Sequence, residues 1–262
     1  MFQNKSVAIT GAGAPNGIGA ALAKMFVENG AKVAISDRRS PDEVASEIGA
    51  RAFKCDVTHE PDIQTFIKDA EDRNGPLDVF VSNAGVGFSD YPAGHAAGAD
   101  NKAWELSWQV NMMANVYAAR TLLPRWIERG SGRFVITASA AGLLNQIGSA
   151  SYSATKHAAV GYAEAMAIAH KDDGISVHCI CPQYVATNMT KGQKFAEENK
   201  DGLLQPFDVA NALKAAIEKD EFMVLSHPIV AEYFKGKAVN YQSYITGMAK
   251  LKSKTPPSDL PI

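Results

Sequence analysis

Seven short apolar runs recur along this chain, separated by longer stretches with helical periodicity. The runs are Lys5–Thr10, Lys32–Ser36, Ala52–Cys55, Leu77–Val81, Arg133–Ala138, Ser176–Cys181 and Phe222–Leu225. Helices are predicted between them near 17–29, 41–48, 60–73, 101–129, 151–170 and 206–219. Parallel strands need a long crossover, usually a helix, so this rhythm predicts an α/β fold. The expected architecture is a doubly wound parallel sheet of about seven strands with helices on both faces. The runs lack strict alternation, as befits strands covered on both sides. A chain of 262 residues suits one such domain, and residues 1–262 are read as one.

Three stretches break the rhythm. Residues 86–100, VGFSDYPAGHAAGAD, form a Gly/Ala-rich loop. Residues 188–205 are a polar, helical patch after a strand end, read as a substrate lid. Residues 228–251 look helical, and the tail TPPSDLPI that completes 228–262 should be loosely held. Pro124 should end or kink the helix in which it lies. Ligands of an open α/β sheet bind beyond the carboxyl ends of its strands. Functional residues are therefore sought just after each run.

A net charge of -2 gives no electrostatic reason to bind nucleic acid or an anionic membrane. No apolar run approaches the roughly 18 residues of a membrane span, and the N-terminus enters a strand without a signal peptide. The cysteines are Cys55, Cys179 and Cys181, an odd count. Cys179 and Cys181 are read as facing opposite sides of a strand. Neither a disulfide framework nor a metal site is expected, and a reducing cytoplasm is the natural compartment.

After the first run comes TGAGAPNGIG, Thr10 to Gly19. Its spacing fits no standard glycine template, yet a strand precedes it and a helix follows. That context favours an anion site, with backbone N–H groups and the helix dipole holding a pyrophosphate. Ala14-Pro15-Asn16-Gly17 is a β-turn sequence and predicts a tight bulge reaching towards the ligand. The second run ends at Asp37, placed to accept both ribose hydroxyls of an adenosine. A 2′-phosphate would face that carboxylate, so Asp37 and the uncharged Asn16 favour NAD over NADP. Arg38 and Arg39 pull the other way. Asp56 and Val57 follow the third run, and Asn83-Ala84-Gly85 the fourth.

Tyr152 and Lys156 open an Ala-rich helix, and their spacing of four places them on one face. A nearby ammonium is expected to lower the tyrosine pKa, letting it exchange a proton with an alcohol or carbonyl. Ser139 lies thirteen residues earlier, after the fifth run, and Asn111 lies within 101–129.

With these residues in order, the chain resembles the short-chain dehydrogenase/reductase family, in its branch of about 250 residues. The resemblance spans roughly 5–225 and rests on Thr10–Gly19, Asp37, Asp56-Val57, Asn83-Ala84-Gly85, Asn111, Ser139, Tyr152, Lys156 and Pro182 through Thr187. It implies a single-domain Rossmann fold and an NAD(P)-dependent oxidoreductase interconverting a secondary alcohol and a ketone. Tyr152 would be the general acid/base. Lys156 would hold the nicotinamide ribose and lower the Tyr152 pKa. Ser139 would orient the reacting oxygen, and Asn111 would hold a relay water. Gly11, Asn16, Gly17, Ile18, Asp37, Asp56, Val57, Asn83, Ala84, Gly85, Pro182, Val185 and Thr187 would line the dinucleotide, with NAD preferred. A homodimer or homotetramer is implied, pairing the helices 101–129 and 151–170. Ala154, Ala158, Ala159, Gly161, Ala163 and Ala165 would permit that contact.

Two departures stand out. Five residues separate Gly11 from Gly17, where the family's pattern has three. Gln183 follows Pro182 where the pattern has glycine. Gln183 and Tyr184 are candidate substrate contacts beside Ser139 and Tyr152. Leu143, Leu144 and Tyr184, with Leu203, Leu204 and Phe207 near the lid's end, suggest an apolar or aromatic substrate body. His95 is read as a loop histidine and His157 as structural. Trp104, Trp108, Met112 and Met113 are read as packing. The alternatives are an NADPH-dependent ketone reductase, a catalytically silent dinucleotide-binding regulator and an epimerase or dehydratase acting on sugar nucleotides. The last would need a larger C-terminal domain than the 75 residues after Thr187.

Overall fold

The computed structural model describes residues 1–192, 194–198 and 200–256. In chain order the first half comprises β1 (Ser6–Thr10), α1 (Ile18–Glu28), β2 (Lys32–Asp37), α2 (Asp42–Ile48), β3 (Arg51–Lys54), α3 (Glu60–Asn74) and β4 (Val79–Ser82). Then follow α4 (Asn101–Trp108), a π-helical turn (Gln109–Met113), α5 (Ala114–Arg129), β5 (Gly132–Thr137), α6 (Ala150–Ala169) and β6 (Ile175–Ile180). The remainder is α7 (Lys194–Glu197), α8 (Pro206–Glu218), β7 (Met223–Val224), α9 (Ile229–Val239) and α10 (Tyr241–Lys254). Every predicted strand is present within two residues of its expected bounds.

The strands form one parallel sheet in the order β3-β2-β1-β4-β5-β6-β7. Each face carries its own core. One contains Ile63 and Phe66 of α3, Leu122 and Trp126 of α5, and Ala159 and Ala163 of α6. The other contains Leu22 and Phe26 of α1, Val44 of α2, and Val209 and Leu213 of α8. β1 shows why its run is apolar throughout: Ala8 joins the first core while Val7 and Ile9 join the second. Strand order reverses between β1 and β4, which opens a crevice beyond their carboxyl ends.

Several expectations need correction. The region 101–129 is two helices joined by the π turn, and Asn111 lies in that turn. Asn115 compensates for the disturbed ladder by donating to the Asn111 and Met112 carbonyls at 2.9 and 3.1 Å. Pro124 does not end α5, which continues to Arg129. Burial of Leu122 and Trp126, with the Trp126 indole donating to the Leu77 carbonyl at 2.8 Å, outweighs the one lost donor. Within 188–205 the described helix is the single turn α7. The 228–251 pattern breaks at Asn240, whose side chain caps α10 by accepting from Ser243 N at 2.9 Å. From Pro257 on, the tail lies outside the described residues.

Cys179 and Cys181 do not face opposite ways. Residues two apart on a strand share a face, and their sulfurs lie 3.9 Å apart, both buried. Trp104 and Trp108 are not core packing, since they are 36% and 46% exposed. Phe207 lies on the outer side of α1, in a groove of about 440 Å³ shared with Pro15, Asn16 and Lys24, and so does not wall the expected pocket.

Candidate active site

The glycine loop is held from both sides. Gly11 has φ +67°, and a side chain there would come within 2.5 Å of Ala84 Cα. The Asn83 amide donates to the Thr10 and Gly11 carbonyls at 3.1 and 2.9 Å, while Asn83 N donates to Thr10 Oγ1 at 3.1 Å. These bonds tie the loop across the crevice to the end of β4. Thr10, read only as the start of the loop, proves to brace it through its hydroxyl.

The Ala14–Gly17 turn forms as predicted. Gly17 N donates to Ala14 O at 2.9 Å, closing a turn over Pro15 and Asn16. Asn16 then reaches the 188–205 segment, with Nδ2 donating to Asn188 Oδ1 at 3.3 Å. α1 begins at Ile18 with no side-chain cap and no acidic residue in its first turn. Its leading N–H groups are therefore left for an anion, which is the feature a pyrophosphate needs.

Asp37 closes the other side. Its Oδ2 accepts from Gly13 N at 2.9 Å and its Oδ1 from Arg38 N at 2.7 Å. A carboxylate has about four acceptor sites, so capacity remains for ribose hydroxyls. Asp56 Oδ1 accepts from Thr58 N and Thr58 Oγ1 at 3.0 and 2.7 Å, making a turn into α3, and Val57 is buried beside it.

Across the crevice, β5, α6 and the π turn bring the predicted polar set together. Lys156 Nζ donates to Thr137 O at 2.8 Å, and its ammonium sits 5.7 Å from the Tyr152 ring centroid. Asn111 Oδ1 accepts from Val86 N at 3.0 Å; its Nδ2 donates to Val86 O at 2.9 Å and Thr155 Oγ1 at 3.0 Å. A methyl group on Gly85 would lie 3.4 Å from Lys156 Nζ and 3.5 Å from Asn111 Oδ1. Ser139 accepts from Ala141 N at 3.1 Å, donates to Pro182 O at 3.4 Å and hydrogen-bonds Tyr152.

The titration of the pair runs against expectation. Burial pushes the Tyr152 phenol up, opposed by the Ser139 hydrogen bond. Burial also pulls Lys156 down to about 8. Desolvation is the largest influence on both groups and disfavours the phenolate and the ammonium alike. At pH 7 the Tyr152 phenol is therefore neutral, while Lys156, at about 8, still holds its proton in most molecules.

Two contributors carried no sequence signal. Asp90, buried in the loop 86–100, accepts from Ala150 N at 3.1 and 3.3 Å and so caps the helix that carries Tyr152. Lys237 of α9, also buried, donates to Leu143 O at 2.7 Å and contacts His157 Nε2 at 3.2 Å, fixing the structural role read for His157. Val185 is buried and pairs with Leu204 in an isolated parallel bridge that closes the segment between them. Thr187 N donates to Thr190 Oγ1 at 3.1 Å. His95 is an exposed loop residue.

The family model for short chain dehydrogenases matches residues 5–198. The chain belongs to the short-chain dehydrogenase family. It is 34% identical over 225 residues to a meso-2,3-butanediol dehydrogenase of Serratia marcescens, covering 84% of each chain. It is 31% identical to a mitochondrial borneol dehydrogenase of Lavandula x intermedia, covering 88% of this chain and 90% of the other. Among solved structures, a 3-ketoacyl-(acyl-carrier-protein) reductase of Brucella melitensis complexed with NADH superposes with a TM-score of 0.78 at 30% identity, covering 86% of this chain and 96% of that one. As a short-chain dehydrogenase the protein is an oxidoreductase acting on CH–OH groups, of a family that binds a nicotinamide dinucleotide. Among the described residues, no helix is long and apolar enough to cross a membrane.

Proposed function

We propose that this short-chain dehydrogenase interconverts a secondary alcohol and a ketone through Tyr152, Lys156, Ser139 and Asn111, with NAD as preferred cofactor. The observation that carries the reading is the convergence of these four side chains at the carboxyl ends of β4, β5 and β6, beside an uncapped helix start and a glycine loop. Bound there, the nicotinamide supplies the hydride acceptor or donor.

Tyr152 gives or takes the hydroxyl proton, and Ser139 orients the reacting oxygen. Lys156, anchored on Thr137 O, holds the nicotinamide ribose, and Asn111 holds a water that relays protons to solvent. Gly11, Asn16, Gly17 and Ile18 cradle the pyrophosphate. Asp37 takes the adenosine ribose, Asp56 and Val57 the adenine side, Asn83, Ala84 and Gly85 the central strand side, and Pro182, Val185 and Thr187 the carboxamide. Gln183 and Tyr184 contact substrate. The segment 188–205 is the lid, and 1–262 acts as one unit. Leu144 and Tyr184 supply apolar wall, and the relatives acting on butanediol and borneol fit a small alcohol with an apolar body.

The exposed Arg38 and Arg39 favour a second reading, a ketone reductase using NADPH. Ala154, Gly161 and Ala165 are exposed along α6, which supports a homodimer or homotetramer; Ala159 and Ala163 are buried within the protomer core and take no part. Three unlinked cysteines fit a cytoplasmic setting.

An alcohol and ketone panel followed by nicotinamide absorbance, with each cofactor, tests the reading. Tyr152→Phe is expected to lower the rate by about 10²–10⁴-fold. Full activity in that variant would overturn the mechanism, and a tenfold advantage for NADPH would overturn the cofactor preference.

A further inference from the structure

Gln183 follows Pro182, whose carbonyl is fixed from the catalytic side by Ala140 N at 2.8 Å and Ser139 Oγ at 3.4 Å. The Gln183 side chain therefore leaves the backbone one residue from the peptide that Ser139 touches. Its amide nitrogen is engaged. Nε2 donates to Asp201 Oδ2 at 3.3 Å, and the same carboxylate accepts the Tyr233 hydroxyl of α9 at 3.0 and 3.2 Å. An ionised carboxylate only accepts, so turning the amide round would set oxygen against oxygen. The amide oxygen is thus held away from Asp201. It is buried from solvent and has no hydrogen-bond partner.

Buried acceptors in folded proteins are almost always paired. The glycine of the family's pattern would bring no such group to this place. The neighbouring Tyr184 is half-buried, and its hydroxyl hydrogen-bonds the Gln183 side chain. Asp201 lies in the 188–205 segment, which Leu204 ties back to Val185 through an isolated parallel bridge. Asp201, itself held by Tyr233, fixes the Gln183 amide with its oxygen turned away from the carboxylate.

We propose that Gln183 Oε1 is a specificity determinant that accepts a hydrogen bond from a second hydroxyl of the substrate, next to the reacting carbon. The pocket then selects a vicinal diol, or the matching α-hydroxyketone, over a plain secondary alcohol or ketone. This rests on the oxidoreductase reading above and adds the substrate class to it. A site built to pair a substrate hydroxyl rejects the analogue lacking it, because its own buried acceptor then stays unpaired.

The test compares kcat/KM for matched pairs: butane-2,3-diol with butan-2-ol, and cis-cyclohexane-1,2-diol with cyclohexanol. The wild-type protein is expected to favour the diol of each pair by at least about tenfold. Gln183→Met, of similar volume but without the acceptor, should lower that ratio by at least about tenfold. The double variant Gln183→Glu/Asp201→Asn keeps an acceptor and a pairing partner, so it should hold the ratio within about threefold even if Gln183→Met folds poorly. No diol preference in the wild type, or an unchanged ratio in Gln183→Met, overturns the inference, the oxygen then being satisfied by water. Loss of the ratio in the double variant also overturns it. Failure of the underlying reading looks different: no alcohol of any kind is oxidised, or Tyr152→Phe retains the full rate.

Discussion

The Asp37 carboxylate and the Gly13 amide are joined by a 2.9 Å hydrogen bond, so the group that would read the adenosine ribose also braces the phosphate loop. A side chain on Gly13 would come within 2.8 Å of that carboxylate, which explains the glycine. Asp37→Ser should therefore act twice. Hydrogen bonds to a charged acceptor are worth about 1.5–3 kcal/mol each, so NADH affinity should fall at least about tenfold. NADPH affinity should rise relative to it as the repulsion is removed. Fluorescence titration with both reduced cofactors measures this, and an unchanged ratio would show that Asp37 does not set the preference.

Asp90 joins the irregular loop to the helix that carries Tyr152. Asp90→Ala removes the acceptor facing Ala150 N, a loss of about 1–2 kcal/mol for a helix cap. In a chain near this size each kcal/mol moves Tm by about 2–4 °C. Asp90→Asn keeps a capping oxygen and should recover most of the Tm and of kcat. A Tm for Asp90→Ala equal to wild type would show that the cap is not supporting the helix.

Lys156 makes stability depend on pH in a defined direction. Its folded pKa, about 8, lies below the ordinary 10.5, because burial disfavours the ammonium. Between those values the unfolded chain binds a proton that the folded chain has released, so stability rises with pH across that window. The slope from this one group is at most about 1.4 kcal/mol per pH unit. Urea unfolding of the cofactor-free protein at pH 7 to 9 should show wild type gaining on Lys156→Met as pH rises. Parallel curves for the two proteins would contradict the shift. The buried Cys55 thiol, pushed up to about 12, opposes the trend above pH 9 but cancels in the comparison.

Two glycines should respond oppositely to the same substitution. A methyl group at Gly19 would lie 2.5 Å from Gly11 O and 2.6 Å from Asn83 Nδ2. Gly19→Ala should lower Tm and cofactor affinity together. At Gly236 a methyl meets nothing within 4 Å, and the site is an exposed position of α9. Gly236→Ala should raise stability by up to about 1 kcal/mol through helix propensity. Equal Tm changes in the two variants would refute the packing argument.

Much of this was legible before any coordinates. Strand-length apolar runs fixed by helix-length spacers leave little choice but a parallel sheet, and strand ends then place Asp37, Asn83, Ser139 and Pro182 on one rim. Helical periodicity alone brings Tyr152 and Lys156 to one face, and the Ala14–Gly17 turn follows from local backbone preferences. These are short-range constraints, each readable within a few residues.

Only the tertiary structure decided the rest. The π turn at Asn111, the Asp90 cap sixty residues from its target and the Gln183–Asp201–Tyr233 chain arise from loop closure, which no local pattern encodes. The direction in which Tyr152 and Lys156 titrate is likewise a sum over every atom that excludes water from them. Spacing could place the ammonium near the ring, but only the packed interior determines that desolvation outweighs the attraction between them.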